Sequence, residues 1–304
     1  MTNKPYVLIT SARNEEAYIE KTIQAVVSQT ILPEKWLIVN DGSTDRTAEI
    51  VSDYRARYDF IDLLSLPLKS QRNFGAKVNA INAGYQQLRK NEFQFVGNLD
   101  ADVAFESQYY EKLLKYFEVN PKLGIAGGII LELIRGRFAA QNISLNSVAG
   151  AIQLFRRNCY EQIGGYLPLE AGGEDAVMEV LARKNGWQVE TFPEMKVFHY
   201  RRVAIENKTS LMTKFRQGYR DYLLGYHPLF YTAMCTYRVI DRPYLLGSIL
   251  RMSGYCWSML ARKRRSVSVE FVSYLKWEQM SRLKSLFAPS RGVRFVKTSR
   301  ICKG

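Results

Sequence analysis

The sequence predicts an α/β protein built on a Rossmann-like, mostly parallel sheet flanked by helices, with a basic helical region after it. Three observations predict this. Short apolar runs alternate with amphipathic stretches through the first hundred residues. Acidic clusters follow two of those runs directly, at Asn40–Asp45 and Asp100–Asp102. The balance of charge changes sign near residue 200: residues 1–195 hold 21 Lys+Arg and 24 Asp+Glu, and residues 196–304 hold 22 and 5.

Tyr6–Thr10 reads as the first strand, followed by a helix over about 15–29 with Ile19, Ile23, Val26 and Val27 at helical spacing. Pro33 closes it. A strand over Trp36–Val39 leads to the Asp41 loop, where Thr44 or Asp45 can cap the next helix. A strand over Ile61–Leu66, a helix through Ala76, Ala80, Ile81 and Tyr85, and a strand over Phe93–Gly97 complete the alternation. Beyond it, Tyr109–Val119 and Asp175–Asn185 read as helices. Leu123–Leu133, Ile152–Phe155, Val189–Phe192 and Lys196–Tyr200 read as strands. The charge shift places a boundary between a mildly acidic α/β region, 1–205, and a basic, aromatic-rich helical region, 206–304.

Such asymmetry points to an anionic partner for the second region, either a membrane surface or a nucleic acid. Its tyrosines (Tyr219, Tyr222, Tyr226, Tyr231 and Tyr237) suit base stacking, which keeps a nucleic-acid-binding protein as an alternative. They suit a lipid headgroup layer equally, and Arg262–Arg265 adds four consecutive cations. The expectation is a chain on the cytoplasmic face of an anionic membrane, with no nucleic acid bound. The four widely spaced cysteines indicate a reducing compartment. The first residues show no signal-peptide pattern. The most apolar stretch, Pro243–Ala261, is interrupted by Arg251, which disfavours a membrane span there.

Ligands of open α/β sheets bind beyond the carboxyl ends of the strands, so two acidic loops at two strand ends predict one shared site. Asp100 and Asp102 are held close enough to repel each other, and a divalent cation would keep both ionised. The bland alternative is a solvated acidic loop, just as Asn40–Asp45 on its own is a turn with a helix cap. Glu174-Asp175 follows Gly172-Gly173 and opens a helix. It is either an acidic helix start or a general base on a turn. His199, in an aromatic strand, is a structural residue or a third metal ligand. A nucleotidyltransferase has less support, because no Gly-rich, Lys-containing phosphate loop occupies the first turn.

Together these motifs resemble family 2 inverting glycosyltransferases of the GT-A nucleotide-sugar fold. Thr10–Glu16 resembles the family's opening Pro-x-Tyr-Asn-Glu loop, without its Pro and Tyr. Asn40–Asp45 is similar to its second-strand signature, and Arg72–Gly84 to its Asn-x-Gly helix. Asp100-Ala101-Asp102 is similar to its metal motif, and Gly172–Asp175 to its catalytic acidic motif. The resemblance runs over about 5–200. It implies transfer of a sugar from a nucleotide donor to a hydroxyl of a glycan or lipid-linked acceptor. Asp41, with Arg72 nearby, would bind the base, and Ser11, Arg13 and Asn14 would line the nucleotide. Asp100 would reach the ribose. Asp102, with Asp100 and His199, would hold Mg²⁺ or Mn²⁺, and Asp175, supported by Glu174, would be the general base. No Gln-x-x-Arg-Trp motif of processive polymerases is present, and Arg216–Arg220 is a loose echo, which implies addition of single sugars.

Overall fold

The computed structural model describes residues 5–67, 75–134, 136–140, 144–201, 211–240 and 244–287. The expected alternation is present as β1 (Tyr6–Ala12), α1 (Ile19–Val27), β2 (Lys35–Asp41), α2 (Thr47–Arg55), β3 (Ile61–Leu66), α3 (Ala76–Leu88) and β4 (Phe95–Leu99). β1 pairs in parallel with β2 on one side and β4 on the other, and β2 pairs in parallel with β3. Side chains alternate across this sheet. Tyr6, Leu8, Trp36, Ile38 and Phe95 face one apolar cluster with α1 and α2. Val7, Ile9, Leu37, Val39 and Val96 face another with α3. Both faces are therefore covered, which is why the strands read as continuous apolar runs.

α1 begins four residues later than its periodicity suggests. The 15–18 segment is a turn, with the N–H groups of Tyr18 and Ile19 donating to the Glu15 carbonyl. Asp45 does support the start of α2: Oδ1 accepts from the Thr47 N–H at 3.0 Å, and Oδ2 from the Glu16 N–H at 3.1 Å.

The second half mixes directions. It contains β5 (Val103–Phe105), α4 (Tyr109–Val119), β6 (Leu123–Ile134), β7 (Arg137–Ala140), β8 (Ile152–Arg156), α5 (Arg157–Gln162), α6 (Glu174–Lys184) and β9 (Gln188–His199). The sheet order is β3-β2-β1-β4-β8-β6-β9-β5, with β7 on the edge of β6. β8 runs antiparallel to both β4 and β6. The two short strands expected at Val189–Phe192 and Lys196–Tyr200 are one bulged strand, β9. Its register against β6 jumps from Gly128↔Phe192 to Ile129↔Lys196. Pro193 lies in the extra residues, where its missing N–H costs no ladder bond.

Among the described residues, four α-helices follow: α7 (Leu211–Leu223), α8 (Pro228–Tyr237), α9 (Tyr244–Leu260) and α10 (Val269–Phe287). α7 and α9 cross at two glycines. A Cβ on Gly218 would lie 1.9 Å from the Arg251 carbonyl oxygen, and one on Gly254 would lie 2.1 Å from that of Phe215. These helices also pack on the α/β region, for Leu169, Val177 and Val180 share an apolar cluster with Leu224, Phe271, Val272 and Leu275. Among the described residues, no helix is long and apolar enough to cross a membrane.

Candidate active site

The parallel order of β1, β2 and β4 brings their carboxyl ends to one edge of the sheet. The loops after β1 and β2 interlock there. Asn14, held at a left-handed φ of 55°, accepts the Thr44 N–H at 2.9 Å and donates its own N–H to Ser43 Oγ at 3.0 Å. The Glu15 N–H donates to Thr47 Oγ1 at 2.8 Å. Asn14 thus ties the two loops together. Ser11 is the penultimate residue of β1, paired in register with Val39. Arg13 extends toward Asp41, with Nη1 3.7 Å from Oδ2. Arg72 lies outside the described residues.

Asp100 and Asp102 follow β4, and each meets a cation. Lys77, at the start of α3, donates to Asp100 Oδ1 at 2.5 Å. Burial opposes the charge on Lys77, but Asp100 outweighs it, and with Asp175 and Asp102 nearby the ammonium is held above its usual range. Asp102 is buried. The antiparallel pairing of β5 and β9 sets Val103 opposite His199, which brings His199 Nε2 to 3.2 Å from Asp102 Oδ1. Arg201 donates from Nε to Asp102 Oδ2 at 2.7 Å and from Nη2 to Glu15. Burial opposes ionisation of Asp102, yet His199 and Arg201 hold its carboxyl below the usual range. The same contact raises His199. Burial pushes Glu15 up to about 7, against the pull of Arg201.

Among the described residues, two buried oxygens here, Asp102 Oδ1 and Glu15 Oε2, lack an aligned hydrogen-bond donor. Hard carboxylate oxygens beside an imidazole suit Mg²⁺ or Mn²⁺, so the residues present fit such an ion. Among the described residues, no three His, Cys, Asp or Glu side chains converge into a ready-made metal cluster. Arg201 supplies the positive charge between the two carboxylates.

Glu174 and Asp175 open α6 after two glycines in left-handed conformations, Gly172 at φ 77° and Gly173 at φ 97°. Asp175 faces Gly150, where an added Cβ would come 3.0 Å from Oδ2. Gly150 is bound in turn to β4, its carbonyl accepting from Asn98 Nδ2 at 2.5 Å. Burial raises the Glu174 carboxyl, and the neighbouring charge on Asp175 adds to this. α7 closes this side. The aliphatic stem of Arg220 packs on Gly173, and its guanidinium holds Asp221 at 3.0 Å. Of Arg216–Arg220, a loose echo in sequence, Arg220 is therefore spatially adjacent to the acidic motif.

Comparison with known proteins identifies the family and the fold. The family model described as "Glycosyl transferase family 2" matches residues 7–165. The poly-beta-1,6-N-acetyl-D-glucosamine synthase of Staphylococcus epidermidis (strain ATCC 35984) is 28% identical over 172 residues, covering 50% of this chain and 39% of that protein. The enzyme of the same name from Staphylococcus aureus (strain COL) is 27% identical over 201 residues, covering 59% and 46%. The matches thus span less than half the length of these relatives. Among solved structures, the mannosyltransferase PcManGT of Pyrobaculum calidifontis, in complex with GDP-Man and Mn²⁺, superposes with a TM-score of 0.57 at 14% identity, covering 94% of this chain and 81% of that one. S. aureus TarS 1-349 in complex with UDP-GlcNAc gives 0.55 at 14% identity, covering 93% and 86%. These likenesses show the GT-A fold. With the family match covering over half of its length and the acidic site at the expected strand ends, the chain belongs to glycosyl transferase family 2 and is a glycosyltransferase.

Proposed function

We propose that the chain inverts configuration as it moves a sugar from a uridine diphosphate donor to a hydroxyl of a glycan or lipid-linked saccharide. The observation that carries this reading is that Asp175, set against Gly150, lies with Asp100 and Asp102 close enough to Lys77 for all three carboxylates to raise its ammonium. On this reading Asp41 and Arg13, with Ser11 and Asn14, bind the nucleotide, Arg72 is assigned to its base, and Asp100 reaches the ribose. Lys77 offsets negative charge between Asp100 and Asp175. Asp102, Asp100 and His199 would hold Mg²⁺ or Mn²⁺, which supplies Lewis-acid stabilisation of charge on the departing diphosphate. Asp175, steadied by Glu174, takes the proton of the acceptor hydroxyl as that oxygen attacks the anomeric carbon from the face opposite the leaving group. The relatives named for poly-N-acetylglucosamine synthesis and the UDP-GlcNAc complex make that sugar the first donor to test.

The test is release of the nucleoside diphosphate from a panel of UDP-, GDP- and dTDP-sugars, with Mg²⁺ or Mn²⁺ and with glycan and lipid-linked acceptors. Acceptor-dependent release with one donor, and an inverted anomeric product by NMR, is the expected result. Release only from other nucleotide donors would sink the uridine assignment, and a retained anomer would sink the mechanism.

The same reading places the chain peripherally on the cytoplasmic face of a membrane, where a lipid-linked acceptor is presented. Its support is the exposed apolar residues of α8 and α9, including Leu229, Leu245, Ile249 and Leu260, together with the exposed Arg262, Lys263 and Arg264 that follow Leu260.

A further inference from the structure

Two carboxylates and an arginine that take no part in the proposed chemistry form a buried line from the last helix to the crevice. Glu179 lies one turn beyond Asp175 on α6 and is 4% exposed. Its Oε1 accepts from the Val148 N–H at 2.7 Å and from Ser147 Oγ at 3.0 Å. Arg183, the next turn along, sets Nη1 3.6 Å from Glu179 Oε2 and donates from the same nitrogen to the Asn146 carbonyl at 3.1 Å. Its Nε donates to Glu278 Oε1, on α10, at 2.6 Å. The Arg183 and Glu278 side chains are 17% and 12% exposed, so this pair is shielded from solvent.

The three groups held this way, the Asn146 carbonyl, the Ser147 hydroxyl and the Val148 N–H, belong to the segment that ends in Gly150. There is little room at that end. Gly150 abuts the Asp175 carboxylate, its carbonyl is held by Asn98, and the Ala151 carbonyl accepts the Asp100 N–H at 2.9 Å. The segment therefore connects the metal side of the crevice to the base side. A shift of the 146–148 backbone would be passed to both. An ångström of misplacement at a reacting group costs orders of magnitude in rate.

We propose that Glu179 and Arg183, anchored by Glu278, are positioning residues that hold the 146–150 segment against Asp175, so that the geometry of the base depends on the docking of α10. This rests on the reading of Asp175 as the base. The line consists of contiguous hydrogen bonds and ion pairs among shielded groups, the kind of network through which one element sets the geometry of another.

The experiment uses the full chain and UDP release from UDP-N-acetylglucosamine or whichever donor the wild type turns over, with amide hydrogen exchange read over 145–151. Glu179→Ala, Arg183→Met and Glu278→Gln are compared with Glu179→Gln, which keeps an acceptor oxygen for the Val148 N–H. The first three are expected to exchange at least tenfold faster over 145–151 and to lose roughly tenfold in kcat at nearly unchanged donor KM. Glu179→Gln is expected to recover most of the kcat that Glu179→Ala loses. Unchanged exchange, or faster exchange with kcat intact, overturns the proposal, as does a Glu179→Gln variant as impaired as Glu179→Ala. Asp175→Asn is run in parallel. If it retains turnover, the assignment of the base fails. If it is inactive while the three variants behave as wild type, the positioning line alone fails. Should Glu179→Ala not fold, Glu278→Gln decides, since it keeps the shape of the side chain and lies outside the crevice.

Discussion

At the scale of single residues, the chemistry of the crevice divides between groups legible in the sequence and groups that only folding brings in. Asp41, Asp100, Asp102 and Asp175 were legible because each follows an apolar run or a glycine turn, where a carboxylate is placed by local structure alone. Their partners were not. Arg201 meets Glu15 across 186 positions, and Lys77 reaches Asp100 from a helix whose periodicity marks only its apolar face. Two predictions belong here. Asp175→Asn keeps the shape of the side chain but loses its basicity. Donor affinity by calorimetry should persist while kcat falls by roughly 10²-fold or more. Near-normal turnover would show that another group takes the proton. Asp102→Ala removes the carboxylate that His199 and Arg201 share. Turnover should vanish, as it should for the wild type in excess EDTA, while the circular dichroism spectrum stays native. Full activity of the chelated wild type would remove the metal from the mechanism.

At the scale of elements, two features carry consequences that no local pattern announces. α7 and α9 cross with backbone in contact at Gly218 and Gly254, and neither glycine marks a turn. Gly254→Ala would drive a methyl group into the Phe215 carbonyl, 2.1 Å from the ideal Cβ position. Overpacking of this kind costs about 1–3 kcal/mol. The melting temperature should therefore fall by several degrees, and an unchanged value would mean that the helices are not so close. The second feature is Glu179. Burial, only partly offset by Arg183 and the Val148 N–H, pushes its carboxyl from 4.5 up to about 7. In the folded chain it holds a proton that the unfolded chain has released between those two values. That contribution is fully present below about 4.5 and is lost as pH rises through about 7, on the order of 3 kcal/mol. Urea midpoints at pH 5 and pH 8 should converge for Glu179→Gln relative to wild type. Equal pH dependence in the two proteins would show that Glu179 ionises at its ordinary value.

At the scale of the whole molecule, strand–helix alternation made the parallel half of the sheet legible, because burial on both faces writes each strand as an uninterrupted apolar run. The mixed half was less so. The reversal of β8 and the bulge around Pro193 depend on neighbours distant in sequence. The charge split was legible too, but its meaning depends on which cations remain free. Of the four at Arg262–Arg265, Arg265 is bound inward, donating to the Tyr222 carbonyl at 2.7 Å and lying over that ring. Arg262, Lys263 and Arg264 are exposed, Lys263 lies 5.2 Å above the Trp257 ring, and the end of α9 beside them presents Met259 and Leu260 to solvent. This combination suits an anionic bilayer, where an aromatic ring sits at headgroup depth and each basic residue contributes about 1 kcal/mol. Replacing the three exposed cations with Gln should weaken binding to phosphatidylserine-containing vesicles by roughly 100-fold. Arg265→Gln, by contrast, should act mainly on stability, because its guanidinium holds backbone. Sedimentation with anionic and with neutral vesicles at low and high salt reads both. The wild type should sediment with the anionic vesicles and be released as salt screens the attraction. If it remains in the supernatant throughout, or if the triple variant sediments as well as the wild type, this end of the molecule is not an electrostatic membrane anchor.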